Sequence, residues 1–297
     1  MKLSDAAIAI AVQLLWALGF TLGKPVVAHF PPLLMMAMVY GVTALCLARY
    51  IPRIRTPFWP LFFVTLVIAP IQAWFIFSGL KGLPASTAVL VLQLQAPFSV
   101  IFGWLLLGER PSALRLAGMA ISFVGVVIVA GAPEAASSWW PVIMVALGSA
   151  FWAGGQAAAR GKVLDGGPTL TAGIAMHAIP QALVASALIE HGQIAAIESA
   201  NLADWAIFLT FALVGFVIAY SLWYGLLRRY RVDQVIPFTL LMPIGGVICG
   251  GVLLGESVSL MELIGGAVIL AGLSIVIRSK EAARLPRAIS SPGAPPS

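Results

Sequence analysis

The residues with chemistry to offer are few, and they stand inside long uncharged stretches of the chain. Gln13, Trp16 and Phe20 are spaced i, i+3 and i+7, which puts one amide and two aromatic rings on one face of a helix. Trp152 and Gln156 repeat that mixture at i, i+4, and Trp74, Phe77, Gln93, Tyr220 and Tyr224 add to it, with further amides at Gln72, Gln95 and Gln181. Such side chains bind a ligand by stacking and by neutral hydrogen bonds. They do not make or break bonds: the sequence has no HExxH or GxSxG pattern, no metal-ligand cluster and no carboxylate pair at depth, so neither an enzyme nor a cofactor is expected. His177 is the single deep titratable group, a proton carrier or an ordinary hydrogen-bonded packing residue. Lys24 and Arg160 stand near the ends of their stretches, placed either to attract a carboxylate or to set topology.

The elements that carry these residues must lie in lipid. The chain is 61% hydrophobic and 9% charged, with mean hydropathy +1.01, and a soluble globule of 297 residues with that balance would expose large apolar patches. A bilayer core about 30 Å thick takes about 20 apolar residues per helix. Uncharged runs of that order occur at 56–80, 82–108, 135–159, 166–189, 205–227 and 234–255. Four more, at 4–22, 31–49, 112–131 and 257–277, are charged only near their ends, so ten transmembrane helices are expected. With the N-terminus in the cytoplasm, fifteen of the seventeen basic residues fall on the cytoplasmic side, and only Lys24 and Lys81 do not. This bias explains the net charge of +6 as topology, and nucleic acid is not an expected partner. Cys46 and Cys249 lie within spans as apolar fillers.

The chain is a doubled unit. Leu106, Leu107, Gly108 and Glu109 recur as Leu253, Leu254, Gly255 and Glu256, and the glycines Gly118 and Gly125 recur as Gly265 and Gly272, all 147 residues on. Pro97 answers to Pro243 at 146, and Leu15, Trp16, Ala17, Gly19 and Lys24 answer to Phe151, Trp152, Ala153, Gly155 and Arg160 at 136. The halves are 1–132 and 133–278, followed by a basic, proline-containing tail, 279–297, expected to be disordered and cytoplasmic. An odd number of helices per half makes the second half enter the membrane from the opposite side. Inverted repeats of this kind are a common transporter architecture, because exchanging the conformations of the halves moves a cavity from one side to the other.

Helix breaks are tolerated in lipid only where protein or a hydrated cavity satisfies the freed backbone. Pro70, Pro97, Pro180, Pro237 and Pro243 are such breaks, and Pro97 and Pro243, at matching places, are the hinge candidates together with Gly246 in a glycine-rich ninth helix. Trp59, Trp139, Trp140 and Trp205 belong to the interfacial belt. Glu109, Glu256 and the Ser259–Glu262 pair read as helix-terminus residues. Helices 5 and 10 hold almost nothing but small and aliphatic residues and should support the fold or a dimer contact, leaving the cavity among helices 1–4 and 6–9.

Leu15, Trp16 and the small residues after them, the Pro97–Glu109 segment, the Gly-rich fifth helix, and the second copy of all three resemble the drug/metabolite transporter superfamily, in particular its EamA-type members, over residues 6–278. The resemblance implies two five-helix domains around a central cavity and, more finely, a bacterial inner-membrane exporter of aromatic amino acids. Alternatives are an exporter of other small amphipathic metabolites or drugs and, from another class, an intramembrane enzyme. Small-molecule substrate and lipid are the expected partners, and a monomer or homodimer the expected state.

Overall fold

The computed structural model describes residues 2–131, 139–160, 162–230 and 232–282, and all regular structure among them is helical. Among the described residues nine helices are long and apolar enough to cross a bilayer: α1 (Leu3–His29), α3 (Phe58–Lys81), α4 (Ala85–Leu107), α5 (Ala113–Ala130), α6 (Trp140–Ala159), α7 (Gly167–Ile189), α8 (Leu202–Trp223), α9 (Pro237–Leu254) and α10 (Leu260–Arg278). The tenth expected span, α2 (Pro32–Cys46), is apolar but has 15 residues, and the 3-10 turn Ala48–Arg53 follows it. At 1.5 Å per residue it rises about 22 Å, short of the hydrocarbon thickness. Helix continues past α10 to Ala282, four residues into the segment expected to be a disordered tail; the rest of that segment lies outside the described residues.

The helices pair in a matched pattern. α1 packs on α8 and α9 while α6 packs on α3 and α4, and α2 packs against α7. α5 and α10 pair most extensively, and glycine is what lets them do so. A Cβ on Gly118 would lie 2.8 Å from the Gly272 carbonyl oxygen, and one on Gly125 would lie 2.8 Å from that of Gly265. These four glycines are among those that recur between the halves. They bring the two backbones together in an antiparallel crossing that no larger residue permits. Between the crossing points Ser122, fully buried, donates to the Gly118 carbonyl.

Helical irregularities recur at matching places as well. α4 is interrupted at Gln93–Leu94, and α9 changes from a 3-10 turn (Ile236–Leu240) to α-helix at Leu241. Each break precedes a proline, Pro97 or Pro243, whose missing N–H removes one rung of the backbone ladder. The Gln93 carbonyl accepts instead from the Ala96 amide at 3.1 Å. In α3 the stretch Val67–Ile71, around Pro70, is π-helical, and so is Phe211–Ile218 in α8, where no proline signals it. Gly155 packs on Ile68 of the first stretch and Gly19 on Gly215 of the second. Pro180, by contrast, leaves α7 continuous from Gly167 to Ile189.

Candidate functional site

Where the broken helices meet α1 and α6 there is a cavity of about 530 Å³. Its walls include Gln13, Trp16 and Phe20 of α1, Gln72 of α3, Gln93, Gln95 and Ser99 of α4, Ser149, Trp152 and Gln156 of α6, Tyr220 and Trp223 of α8, and Thr239 and Met242 of α9. At one end it reaches Leu107, Arg160 and Ile277. A smaller lobe of about 100 Å³ shares Trp16, Phe20, Gln72, Trp152 and Tyr220 with it and adds Tyr40, Phe77, Phe211 and Phe216, so the aromatic lining thickens away from the Arg160 end. α5 contributes to neither lobe, and α10 only Leu273 and Ile277.

The lining is aromatic and orderly. Trp16 meets Tyr220 edge-on at 5.3 Å and Trp223 at 5.2 Å; Phe20 stacks on Phe77 at 6.1 Å, and Phe216 on Tyr220 at 6.0 Å. These separations are those of favourable aromatic pairs and leave ring faces and edges toward the cavity. Among them Gln13 is 0% exposed, and neither its Nε2 nor its Oε1 has a hydrogen-bond partner; the Trp16 Nε1 likewise has none. A buried carboxamide left unpaired costs about 1–3 kcal/mol. Gln93 differs, because its Nε2 donates to the Val89 carbonyl at 3.2 Å.

Among the described residues charge enters at the rim alone. Arg160 is the one charged residue of the described lining, and its Nη1 lies 2.8 Å from Glu109 Oε1, with the two side chains 55% and 47% exposed. Lys24 does not reach either lobe. Its Nζ donates to the carbonyls of Leu80, Lys81 and Leu83, in the turn between α3 and α4 at the opposite end, and so is spent on backbone.

Other expected site residues fall elsewhere. Trp74 lines neither lobe and packs edge-on to Phe75 at 5.0 Å. His177 also lines neither: its Nδ1 lies 2.9 Å from the Gly173 carbonyl and its ring 5.0 Å from that of Phe58. Tyr224 is on the helical continuation of α8, with its side chain outside the described residues. Pro97 and Gly246 are buried beside the cavity rather than in its wall, and a Cβ on Gly246 would lie 3.0 Å from Val89 of α4. The sequence pattern did not single out Tyr40, Ser149 or Thr239 for the site. Tyr40 in α2 and Ser149 in α6 lack an aromatic–amide spacing, and only the packing of α2 on α7 and of α6 on α4 brings them in.

The model of the EamA-like transporter family matches residues 4–131 and again residues 139–278. The chain belongs to this family. EamA-type membership thus stands on a match to both halves of the chain, in the order in which Trp16 and Glu109 recur as Trp152 and Glu256. The chain is 32% identical over 289 residues to a probable amino-acid metabolite efflux pump of Salmonella typhimurium, covering 93% of this chain and 95% of the relative. A protein of the same description from Escherichia coli K12 is 29% identical over 286 residues, with the same coverage. A solved crystal structure, 22% identical, superposes with a TM-score of 0.64 over 96% of this chain and all of that one, a likeness of fold. The EamA-family chain is therefore a multi-pass membrane transporter.

Proposed function

We propose that this transporter exports amino acids with aromatic or bulky apolar side chains across the bacterial inner membrane, by alternating access through the cavity between its two halves. The observation that carries this is the unpaired Gln13 carboxamide beside Trp16, Trp152 and Tyr220. An amide offers one acceptor and two donors, which suits a zwitterion whose ammonium and carboxylate lie side by side, while the rings take a planar or bulky side chain. A lining whose one charged residue among those described is Arg160, already paired with Glu109, favours a solute of no net charge. The volume is within the roughly 300–1,000 Å³ usual for small-molecule sites. The names of the Salmonella and Escherichia relatives support the amino-acid class and the outward direction.

The two halves form an inverted pair of five helices each, the short α2 among them, with both termini in the cytoplasm. The matched breaks before Pro97 and Pro243, the π-helical stretches in α3 and α8, and the antiparallel glycine crossing of α5 and α10 support that symmetry. The positive-inside bias then makes the Arg160 end cytoplasmic, so this conformation opens inward. Cells producing the chain and loaded with a phenylalanine dipeptide, which their peptidases hydrolyse, should release free phenylalanine faster than cells producing the Trp16→Ala variant. Equal release from both would remove the aromatic site. Export of an amphipathic drug in preference to any amino acid would favour the alternative class.

A further inference from the structure

The duplicated segments Gly103–Glu109 and Gly250–Glu256 fold alike but hold different partners. In both, the glycine before the glutamate is left-handed (φ 70° at Gly108, 65° at Gly255), and the glutamate amide donates back to the first glycine, at 3.1 Å to Gly103 and 3.2 Å to Gly250. The Glu256 carboxylate then crosses to the other half. It accepts from the Ala85 amide at 2.6 Å, the Ser86 amide at 3.0 Å and the Ser86 hydroxyl at 2.7 Å, gripping the first turn of α4, where the helix dipole favours negative charge. Glu262, 1% exposed, accepts from the Thr87 hydroxyl of the same turn. With Lys24 on the carbonyls of Leu80, Lys81 and Leu83, this ties the α3–α4 turn to α1, α9 and α10 and shuts the periplasmic end.

At the cytoplasmic end no matching grip is present among the described residues. Glu109 instead holds Arg160, the counterpart of Lys24, in a half-exposed pair of the weak, readily exchanged kind. The register of 146 residues that relates Leu94 to Leu240 and Pro97 to Pro243 puts Ala85 and Ser86 opposite Arg231, which lies outside the described residues, and Val232.

The geometry points to Glu256 and Glu109 as alternating latches of the two gates. In the opposite conformation Glu256 releases Ala85 and Ser86, and Glu109 leaves Arg160 for the backbone near Val232 at the approach to α9. The inference rests on the inverted-repeat reading but not on the substrate.

The test measures distances between spin labels in liposomes without solute, in full-length protein with Cys46 and Cys249 replaced. Labels at Lys81 and Ser257 report the periplasmic end, and labels at Arg110 and Gln234 the cytoplasmic end. Losing charge-assisted hydrogen bonds of this kind shifts a two-state ratio by about tenfold or more. Glu256→Gln should therefore raise the fraction open at the periplasmic end by that factor, and Ser86→Ala should move it less, in the same direction. Glu109→Gln should move it the opposite way. Unchanged distances in folded Glu256→Gln and Ser86→Ala protein, or a shift in one common direction by Glu256→Gln and Glu109→Gln, would overturn the latch assignment.

Discussion

Gln13→Leu separates a binding residue from a packing one. Gln13 is fully buried on α1 and its amide atoms have no partner, so the empty protein bears the cost of an unsatisfied carboxamide, about 1–3 kcal/mol. Leucine of similar volume removes that cost and stabilises the ligand-free protein; for a domain of this length a gain of that order raises the melting temperature by roughly 2–10 °C. Hydrogen bonds to a charged ammonium or carboxylate are worth about 1.5–3 kcal/mol, so the same change should raise the half-saturating substrate concentration by roughly 10–150-fold. Gln93→Leu is the control, because its amide already donates to Val89 and little stabilisation follows. The assays are thermal unfolding in detergent without solute and concentration-dependent exchange in liposomes. A Gln13→Leu protein that melts lower than the unsubstituted one while transporting with unchanged affinity would refute the reasoning, since the amide would then be satisfied within the fold.

Gly125→Ala puts a Cβ 2.7 Å from the Ile269 backbone nitrogen at the α5–α10 crossing, where backbone cannot yield as a flexible side chain does. It should cost about 1–3 kcal/mol, read as a lowered melting temperature. Asp165 accepts from the Thr56 hydroxyl and from the amides of Arg55 and Thr56 in the loops outside the helices. Partial burial pushes its carboxyl up, but those bonds and the Arg55 charge outweigh it, and its pKa falls below the ordinary value. A carboxyl with a depressed folded-state pKa contributes stability that is fully present above its unfolded pKa of about 3.9 and is lost as pH falls through the folded value. The melting temperatures of the unsubstituted protein and of Asp165→Asn should therefore differ at pH 7 and converge below about pH 4; a gap that persists at low pH would contradict this.

The spans and their faces were legible because lipid imposes a simple rule: uncharged runs of sufficient length become helices, and polar or aromatic side chains inside them must face protein or a cavity. Gln13, Trp16, Phe20, Trp152 and Gln156 followed from helical spacing alone and do line the cavity. Trp74 and His177 have the same composition but face their own neighbours, because periodicity within one helix says nothing about which helix stands opposite. α2 was expected as a full span, yet its helix stops at Cys46 and the chain turns into a 3-10 segment. The π-helical stretch at Phe211–Ile218 was invisible, since no proline produces it and the approach of Gly19 to Gly215 depends on tertiary packing. Glu256 read as the end of its own helix, and its placement after a left-handed glycine fits that; its grip on Ala85 and Ser86 spans 171 and 170 residues and could come only from the fold.

Counterflow in liposomes containing the purified protein tests the central claim most directly. Vesicles loaded with unlabelled phenylalanine should accumulate labelled phenylalanine transiently and saturably. Tryptophan and leucine should compete, whereas glutamate and lysine should not. An imposed pH gradient should leave the rate unchanged, because the cavity lining holds no Asp, Glu or His among its described residues. Counterflow driven best by a charged amino acid, or none with any amino acid while the protein remains folded, would contradict the account.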